Sequence, residues 1–484
     1  MSPIGCAKRA FPTATDKFNR KDVIYLEPLS LKTLLAGVAE TAGDEMVRAV
    51  VTDSRAAGPE TVFVAIKGER VDGHDYAATA LAQGAVCVVA EHPIEGVPTE
   101  KIALVENSLD AMIAMGGNYR AQYRPMVLGV TGSVGKTTTK EFCAAVFSAF
   151  GSTLKTEGNQ NNELGVPNTL FRLDETTEYA VVEMGMDQMG DLHKLSLAAK
   201  PQAAIITRIG VSHIEHLGSR ENILKAKMEI CDGMAPGGVL VVNGDDDLLA
   251  KAMAPRALHK ITFGIDDRFA QVTAQNIESS TEGERFLLCD KQNGEFSVFI
   301  PAVGRHNIYN ALAAYTLATR QGLDPARAAA ALANYQTTGL RQHLAEKGGM
   351  LIIEDCYNAN PDSMRAGLEA LASLAEKRGG KRVAVLGDML ELGDISDKAH
   401  WEAGTAAAEN GVSLLVTYGP WAQQIAAGAK AAGVPEVCHC TDKQQAAALL
   451  ASRCAAGDTL LFKASRGMKF EEIFEAFYRL LQEK

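Results

Sequence analysis

A strand, a glycine-rich turn and a helix follow one another at residues 126–150, and this arrangement constrains the fold more than any other feature. The apolar run Met126–Leu128 leads into the turn GVTGSVGKT at residues 129–137, and a helical pattern continues from Thr138 to Phe150. Glycines let the backbone curl so that several N–H groups face one anion, and the helix N-terminus adds its dipole. The segment therefore predicts a loop that binds the phosphates of a nucleoside triphosphate.

The residues of this loop have distinct predicted roles. Lys136 supplies a positive charge for the β- and γ-phosphates, and the Thr137 hydroxyl is a ligand for Mg²⁺. The spacing departs from the strict G-x-x-x-x-G-K-[ST] pattern, because Val130 stands where the first glycine would be. Nucleotide binding is predicted for the whole loop, which consists of Thr131, Gly132, Ser133, Val134, Gly135, Lys136 and Thr137.

Length and composition exclude several classes of protein. A chain of 484 residues is expected to form two to four domains, and its net charge of −11 argues against a general nucleic-acid surface. No run of about 18 apolar residues is present, so no membrane insertion is predicted. The nine cysteines contain no C-x-x-C pair, and Cys438-His439-Cys440 lacks the second half of a zinc site. This cysteine usage is typical of a reducing cytoplasm.

Apolar patterning divides the chain into four predicted parts with an α/β fold. Residues 1–25 are expected to be a flexible extension, and residues 26–124 a compact α/β domain. In residues 125–338, continuous apolar strands alternate with helices, which predicts a central domain built on a parallel sheet with an antiparallel annex at Phe269–Ile300. Residues 339–484 repeat the pattern, which predicts a Rossmann-like, doubly wound domain without the dinucleotide fingerprint.

Polar residues follow several of the predicted apolar strands. Glu183 ends one strand, where a carboxylate completes the Mg²⁺ shell of phosphate-loop proteins. His213 and Asp355 follow two others, and in an open α/β sheet ligands bind outside the carboxyl ends of the strands. A lone histidine there is more often only a polar loop residue. Lys227 lies on a helix, where a lysine usually belongs to a solvated face.

Five ordered motifs resemble those of the Mur ligases. The resemblance covers nearly the whole chain except about the first 25 residues and runs through all three predicted domains. The motifs are Thr131–Thr138, Glu157–Pro167, Glu183–Met186, Gly304–Ala311 and Tyr357–Pro361, which read TGSVGKTT, EGNQNNELGVP, EMGM, GRHNIYNA and YNANP.

The resemblance implies a function and three domains. It implies a UDP-sugar-binding domain at 26–124, the central ATPase domain and a mobile C-terminal domain. It further implies an ATP- and Mg²⁺-dependent ligase that joins D-Ala-D-Ala to UDP-MurNAc-tripeptide through an acyl phosphate. We expect a cytoplasmic monomer with no nucleic-acid partner. The Asp-Asn-Pro-Arg signature of the family's diaminopimelate ligases is absent, which argues against that activity.

The resemblance also implies roles for individual residues. Lys227 matches a lysine that the family carbamylates, and with His213 the carbamate would hold a second Mg²⁺. Asn310 matches an adenine contact, while Arg341 and Asp355 match groups that reach ATP when the domains close. The implied substrate-binding residues are Ser54, Arg55, Gly73, His74, Asn159, Asn161, Asn162, Tyr357, Asn358 and Asn360.

Two local departures from the family pattern bear on these roles. Ala464 stands where relatives usually carry glycine, so the turn Lys463–Arg466 is expected to differ. The sequence Thr338–Arg341 replaces a Gly-Arg pair found in some relatives, which weakens the basis for the role given to Arg341.

Two alternatives stay open at this point. A folylpolyglutamate-type ligase shares the ATPase core, but that family lacks the N-terminal block. A non-catalytic, ATP-dependent interaction protein would need the phosphate loop but not Glu183, His213 and Lys227 together. Whether the third residue of the tripeptide is diaminopimelate or lysine is also open.

Overall fold

The computed structural model describes residues 23–41 and 43–482. The predicted extension 1–25 therefore lies, as far as residue 22, outside the described residues. The chain divides into two compact units, Met1–Ser108 and Leu109–Lys484. One sheet lies in the first unit and two lie in the second, so the predicted α/β class is confirmed. The domain limits at 124/125 and 338/339 stay predictions.

The first unit contains a five-stranded sheet. Its strands lie in sequence order; β1 is antiparallel to β2 and the others are parallel. The strands are β1 Tyr25–Ser30, β2 Met46–Val51, β3 Thr61–Val64, β4 Cys87–Ala90 and β5 Ile102–Leu104, and the helices are α1 Leu31–Leu34 and α2 Ala77–Ala82, with 3₁₀ helices at Ser54–Ala56, Gly73–Tyr76 and Thr99–Lys101. The periodicity over Leu29–Val38 predicts a longer helix, but Leu29 and Ser30 belong to β1, and α1 ends at Leu34 before a turn that includes Gly37 at φ +69°.

The central sheet of the second unit has nine strands in the order β14-β13-β12-β11-β10-β9-β6-β8-β7. Strands β6 to β12 are parallel, and β13 and β14 extend the sheet in antiparallel fashion, as predicted. The strands are β6 Met126–Thr131, β7 Thr153–Lys155, β8 Tyr179–Glu183, β9 Ala203–Ile206, β10 Val239–Asn243, β11 His259–Gly264, β12 Val272–Ser279, β13 Glu284–Asp290 and β14 Gly294–Ile300.

Helices cover this sheet and bury its strands. The helices are α3 Ser108–Arg120, α4 Lys136–Ser148, α5 Gly165–Leu170, α6 Asp191–Ala199, α7 Ile214–Leu217, α8 Arg220–Met228, α9 Asp247–Lys251, α10 Arg305–Arg320 and α11 Pro325–Ala331, with 3₁₀ helices at Glu229–Cys231 and Leu332–Asn334. Helices α4 and α10 share one hydrophobic core with β6 and β8, in which Phe142 stacks on Tyr335 at 4.0 Å between ring centroids. Covered faces explain why these strands are continuously apolar.

The C-terminal sheet has six strands in the order β15-β16-β20-β17-β18-β19, all parallel except β15. Hydrophobic clusters lie on both faces, as a doubly wound sheet requires. The strands are β15 His343–Lys347, β16 Met350–Glu354, β17 Arg382–Gly387, β18 Leu414–Tyr418, β19 Glu436–Cys440 and β20 Thr459–Lys463; the helices are α12 Pro361–Glu376, α13 Ser396–Glu409, α14 Ala422–Ala431, α15 Lys443–Arg453 and α16 Glu471–Gln482, with 3₁₀ helices at Gly393–Ile395 and Arg466–Met468.

The described residues contain neither a cluster of three metal-binding side chains nor a helix suited to cross a membrane. Within 23–41 and 43–482, no three His, Cys, Asp or Glu side chains form a group that could hold a metal ion, so Cys438–Cys440 is not part of such a site. In the same ranges, no helix has both the length and the apolar character that crossing a bilayer would require.

A buried ion pair joins β13 to α10 and supports the central sheet. The guanidinium of Arg320 binds both oxygens of Asp290 at 2.7 and 2.9 Å, and Asn293 donates to the same carboxylate at 2.7 Å. The side chains of Arg320 and Asp290 are only 8% and 0% exposed. Removing one member of such a pair leaves the other charge buried without a partner.

We therefore predict that Asp290→Ala lowers the free energy of unfolding by about 3–5 kcal/mol, measured by urea denaturation followed by circular dichroism. The matched control is Glu402→Ala, which breaks the exposed ion pair with Lys398 on α13. That change should cost less than about 1 kcal/mol. Equal effects of the two substitutions would contradict the role given to the buried pair.

Candidate active site

A cavity of about 730 Å³ in the second unit is lined by residues of both the central and the C-terminal regions. It brings together most of the residues predicted for the site. Those that line it are Ser133, Val134, Gly135, Lys136, Thr137, Asn159, Asn161, Asn162, Glu183, His213, Asn310, Arg341, Asp355, Tyr357, Asn358 and Asn360. Thr131, Gly132 and Lys227 are buried and do not line the cavity.

The phosphate loop joins the end of β6 to the start of α4. Gly132 adopts φ +149° and Gly135 adopts φ +81°, which are conformations that favour glycine. A Cβ atom on Gly132 would meet the Thr207 hydroxyl oxygen at 1.9 Å, and one on Gly135 would meet Asn310 Oδ1 at 2.7 Å. Both glycines are therefore required by backbone geometry and by space.

Lys136 lies across this loop. Its Nζ donates to the carbonyl oxygen of Gly132 at 2.8 Å, so the ammonium connects the end of the loop to its beginning. Burial lowers the pKa of Lys136 from its ordinary value, and the nearby Glu183 carboxylate opposes that shift. The ammonium thus stands beside the loop amides, where the phosphates of a nucleotide would need a positive charge.

Glu183 at the end of β8 faces the start of α4. Its Oε1 accepts hydrogen bonds from Thr137 Oγ1 at 3.1 Å and from Asn161 Nδ2 at 2.7 Å. Its Oε2 is buried and has no hydrogen-bond partner within the described part of the chain. A buried carboxylate oxygen without a donor, next to a hydroxyl oxygen, is a suitable ligand set for Mg²⁺, which prefers oxygen.

His213 and Lys227 lie near each other and near Lys136. Burial, and to a lesser extent the charge of Lys136, lowers the pKa of His213 to about 4. Burial on α8 lowers the pKa of Lys227 well below its ordinary value, and the charge of Lys136 adds to this shift. The imidazole of His213 is therefore neutral near pH 7, which is the state in which it binds a metal ion, and the surroundings of Lys227 favour its neutral amine.

The C-terminal region supplies a second set of polar groups. Lys463 Nζ donates to Asp355 Oδ2 at 2.7 Å and to the carbonyl oxygen of Asn358 at 3.2 Å. The Arg341 guanidinium lies over the Tyr357 ring, 3.9 Å from its centroid. These contacts fix Asp355, Arg341 and Tyr357 on the wall of the cavity. Lys463 was not predicted as a site residue, although it ends an apolar strand of the same sheet.

Ser212 connects the phosphate loop to the C-terminal region. Its hydroxyl donates to the carbonyl oxygen of Ser133 at 3.3 Å and accepts from Asn360 Nδ2 at 2.9 Å. Asn360 also caps α12 by accepting from the N–H of Ser363 at 2.8 Å. The sequence offered only one signal for Ser212, its place beside His213 in the same loop.

Gln342 forms a second connection between the C-terminal region and the central region, in this case to α10. Its Oε1 lies 3.1 Å from His306 Nε2 and accepts from Asn307 Nδ2 at 2.9 Å. One turn further along α10, Asn310 accepts from the Thr139 hydroxyl at 3.0 Å. Asn310 therefore joins α10 to α4 and lines the cavity at the same time. No sequence pattern marked Gln342.

The residues predicted to bind a UDP-sugar lie in the first unit. His74 Nδ1 lies 2.6 Å from Asp72 Oδ1, and its Nε2 accepts from the N–H of Glu91 at 3.0 Å. A Cβ atom on Gly73 would meet the Ile66 nitrogen at 2.6 Å, so glycine is needed there. The side chain of Arg55 is 81% exposed beside the turn that contains Ser54. Their role in binding stays a prediction.

Three family models match successive stretches of the chain. The model described as Mur ligase family, catalytic domain, matches residues 46–113. The Mur ligase middle domain matches residues 130–318, and the Mur ligase, glutamate ligase domain, matches residues 341–466. The first of these matches falls on the N-terminal block that the folylpolyglutamate alternative lacks.

Individual relatives are similar over most of the chain. UDP-N-acetylmuramoyl-tripeptide–D-alanyl-D-alanine ligase from Bacillus subtilis (strain 168) is 38% identical over 431 residues, which is 88% of this chain and 92% of the relative. A crystal structure of MurF from Acinetobacter baumannii superposes with a TM-score of 0.85 at 31% identity and covers 94% of this chain and 100% of its own. MurF ligase from Thermotoga maritima in complex with ADP superposes with a TM-score of 0.81 at 30% identity over 90% of this chain and 98% of its own.

The crowding at Gly135 leads to a prediction about nucleotide binding. Gly135→Ala should weaken ADP binding about tenfold or more, because the new Cβ would push Asn310 and distort the loop. Isothermal titration calorimetry with ADP measures the change.

The matched control is Gly237→Ala. Gly237 has a similar φ of +85° but no atom within 4 Å of the added Cβ. This control should lose about 1–2 kcal/mol of stability through backbone strain, with unchanged ADP affinity. If both variants bound ADP as the wild type does, the loop geometry would not govern nucleotide binding.

Proposed function

The chain belongs to the Mur ligase family, and from that premise we propose how its cavity joins D-alanyl-D-alanine to a UDP-N-acetylmuramoyl-tripeptide. The chain is an ATP-dependent ligase, like the relatives that match it over most of their length. Its product is the UDP-N-acetylmuramoyl-pentapeptide, a precursor of peptidoglycan. The roles given below to individual residues are part of the proposal.

The ligation proceeds in two steps. A terminal carboxylate oxygen of the tripeptide attacks the γ-phosphorus of ATP, the bond to the β-phosphate oxygen breaks, and ADP leaves. The amine of D-Ala-D-Ala then attacks the carbonyl carbon of the acyl phosphate, loses a proton and expels phosphate. Phosphorylation is needed because a carboxylate oxygen is a poor leaving group. The intermediate is sensitive to water, which a closing C-terminal domain would exclude.

One observation carries this proposal: the phosphate loop and the polar groups of the C-terminal region line the same cavity. A site that transfers a phosphoryl group to one substrate and then joins that substrate to a second one needs both substrates next to the nucleotide. Holding two reactants in a reactive geometry contributes about 7–11 kcal/mol to a bimolecular step. The shared cavity supports such an arrangement.

The loop amides and Lys136 act on the transferring phosphoryl group. Negative charge spreads over its oxygens in the transition state, and fixed N–H donors and an ammonium stabilise that charge without reorganising. The N-terminus of α4 adds its dipole in the same direction. Asn310 would contact the adenine, while Arg341 and Asp355 would reach ATP from the C-terminal side.

Thr137 and Glu183 would hold Mg²⁺, because their oxygens lie together and Glu183 Oε2 has no hydrogen bond among the described residues. The ion would neutralise part of the charge on the phosphate oxygens. His213 would bind a second Mg²⁺ together with a carbamate on Lys227. The metal-binding residues proposed here are thus Thr137, Glu183, His213 and Lys227.

A carbamate on Lys227 requires a neutral amine. Burial lowers the pKa of Lys227 well below its ordinary value, which favours the unprotonated amine. The amine nitrogen can then attack the carbon of CO₂ and lose a proton, which converts a potential cation into an anionic oxygen ligand. The burial that makes a charged lysine unfavourable therefore favours this modification.

The remaining polar groups would bind the substrates. Asn159, Asn161 and Asn162 line the cavity beside Glu183, and Tyr357, Asn358 and Asn360 line it on the C-terminal side. Ser54, Arg55, Gly73 and His74 would bind the UDP-muramoyl end. We place the reaction in the cytoplasm, which the free cysteines of the described residues support, and expect a monomer because each role falls on one chain.

Lys136→Ala should lower the rate of pentapeptide formation by about 10²–10³-fold, because one charged contact to the transferring phosphoryl group is lost. The assay detects UDP-MurNAc-pentapeptide by mass spectrometry and phosphate by colorimetry. Lys430→Ala, at an exposed position on α14, is the control. In the wild type, phosphate release should require both UDP-MurNAc-tripeptide and D-Ala-D-Ala. A wild-type rate for Lys136→Ala would show that the loop assignment is wrong.

Lys227→Ala should be nearly inactive and should regain part of its activity with formate or acetate, because a free carboxylate can replace the carbamate oxygens. Lys225→Ala is the matched control, since Lys225 is exposed on the same helix two residues away. It should keep wild-type activity. Full activity of Lys227→Ala without added carboxylate would eliminate the carbamate.

A further inference from the structure

A fully buried lysine lies behind Glu183, and the proposed reaction does not use it. The side chain of Lys140 on α4 is 0% exposed. Its Nζ lies 3.1 Å from Glu141 Oε1 and 3.8 Å from Glu183 Oε2, and it donates to the carbonyl oxygen of Gly158 at 3.3 Å. Lysine is almost never fully buried unless it is paired, so these neighbours account for its position.

Charges of opposite sign alternate from the protein surface to the cavity. Lys155, whose side chain is 40% exposed, pairs with Glu141, and Glu141 pairs with Lys140. Lys140 in turn faces Glu183, whose side chain is 1% exposed. Because Lys155 also compensates Glu141, the ammonium of Lys140 is shared between that carboxylate and Glu183.

The two oxygens of Glu183 have different surroundings. Oε1 accepts from Thr137 and Asn161, whereas Oε2 accepts no hydrogen bond among the described residues and lies 3.8 Å from the ammonium of Lys140. At this separation the ammonium attracts the carboxylate but leaves the lone pairs of Oε2 free. A divalent cation bound at Oε2 would meet a like charge close by, in a buried site where salt screens little.

We propose that Lys140 is a resident countercation for Glu183. It keeps the carboxylate in place while the cavity contains no nucleotide, and it weakens the binding of a free divalent cation, so that Mg²⁺ enters together with ATP. The phosphate oxygens of the nucleotide supply the extra negative charge that the pair of Lys140 and Glu183 lacks. Lys140 does not line the cavity and is therefore a positioning residue. The inference rests on the proposed function, which takes Glu183 as a metal ligand.

The test measures metal binding directly. Mn²⁺ is titrated into the full-length protein without nucleotide, and free Mn²⁺ is followed by electron paramagnetic resonance. Lys140→Met, which keeps a long unbranched side chain without the charge, and Lys140→Gln, which keeps an N–H donor, should both bind Mn²⁺ about tenfold or more tightly than the wild type. A lysine with only a structural role would leave the affinity unchanged or lower it when replaced.

Lys155→Met is the matched control, because it removes the outer lysine of the same alternating series. It should change Mn²⁺ affinity by less than about twofold, since its charge is more exposed and better screened. The inference is overturned if neither Lys140 variant gains affinity.

The wild type provides a further test that does not depend on the folding of any variant. Its affinity for Mn²⁺ should rise about tenfold or more when ADP is bound. Equal affinities with and without ADP would also overturn the inference. A wild type that binds no Mn²⁺ with ATP and releases no phosphate would instead contradict the proposed function, so the two failures are distinguishable.

Discussion

The site depends on the register of β6 between β8 and β9. In this register Val130 pairs with Glu183 and Thr131 pairs with Ile206, so the phosphate loop, the Glu183 carboxylate and the Thr207 loop begin at the same level of the sheet. The strands that follow β6 in the sequence lie on both sides of it in the sheet. At such a point an open parallel sheet forms a crevice that can hold a ligand. A slip of one residue in β8 would move Glu183 to the opposite face. Hydrogen bonds between strands therefore determine the chemistry at their ends.

The sequence predicted the parts of this site that local pattern determines. Apolar strands followed by glycine or by a carboxylate marked the loop at 131–137 and Glu183 as candidates, and residues 133–137 of the loop line the cavity together with Glu183. The alternating order of strands and helices predicted the two parallel sheets. The short edge strands β15 and β19 were missed, because polar residues in them, such as Glu346 and His439, hide the strand pattern. Lys140, Ser212, Gln342 and Lys463 were also missed as site residues, because their importance arises from partners distant in the sequence.

The role predicted for Lys227 came from the family resemblance and not from the sequence pattern around it. A lysine on a polar helix usually belongs to the solvated face, yet Lys227 is buried together with Ile223 and Ala226. Ile223 and Lys227 are four residues apart and so share one face of α8. That spacing was a signal in the sequence, but it does not by itself distinguish a buried lysine from an exposed one. Burial depends on how α8 packs, which only the tertiary structure reveals.

Three lysines lie in or near the site, and the neighbouring charges differ at each of them. Lys136 is partly exposed beside the amides of the loop, where an ammonium can face an anion. Lys140 is buried between Glu141 and Glu183, 3.1 and 3.8 Å from their carboxylate oxygens. Lys227 is equally buried, but positive charge from Lys136 reinforces the effect of desolvation, and both favour a neutral amine. An acidic protein thus binds anionic substrates through local placement of a few cations rather than through its overall field. The same residue type can serve as a phosphate contact, as a countercation and as a precursor of an anionic ligand, because the neighbouring charges differ at each position.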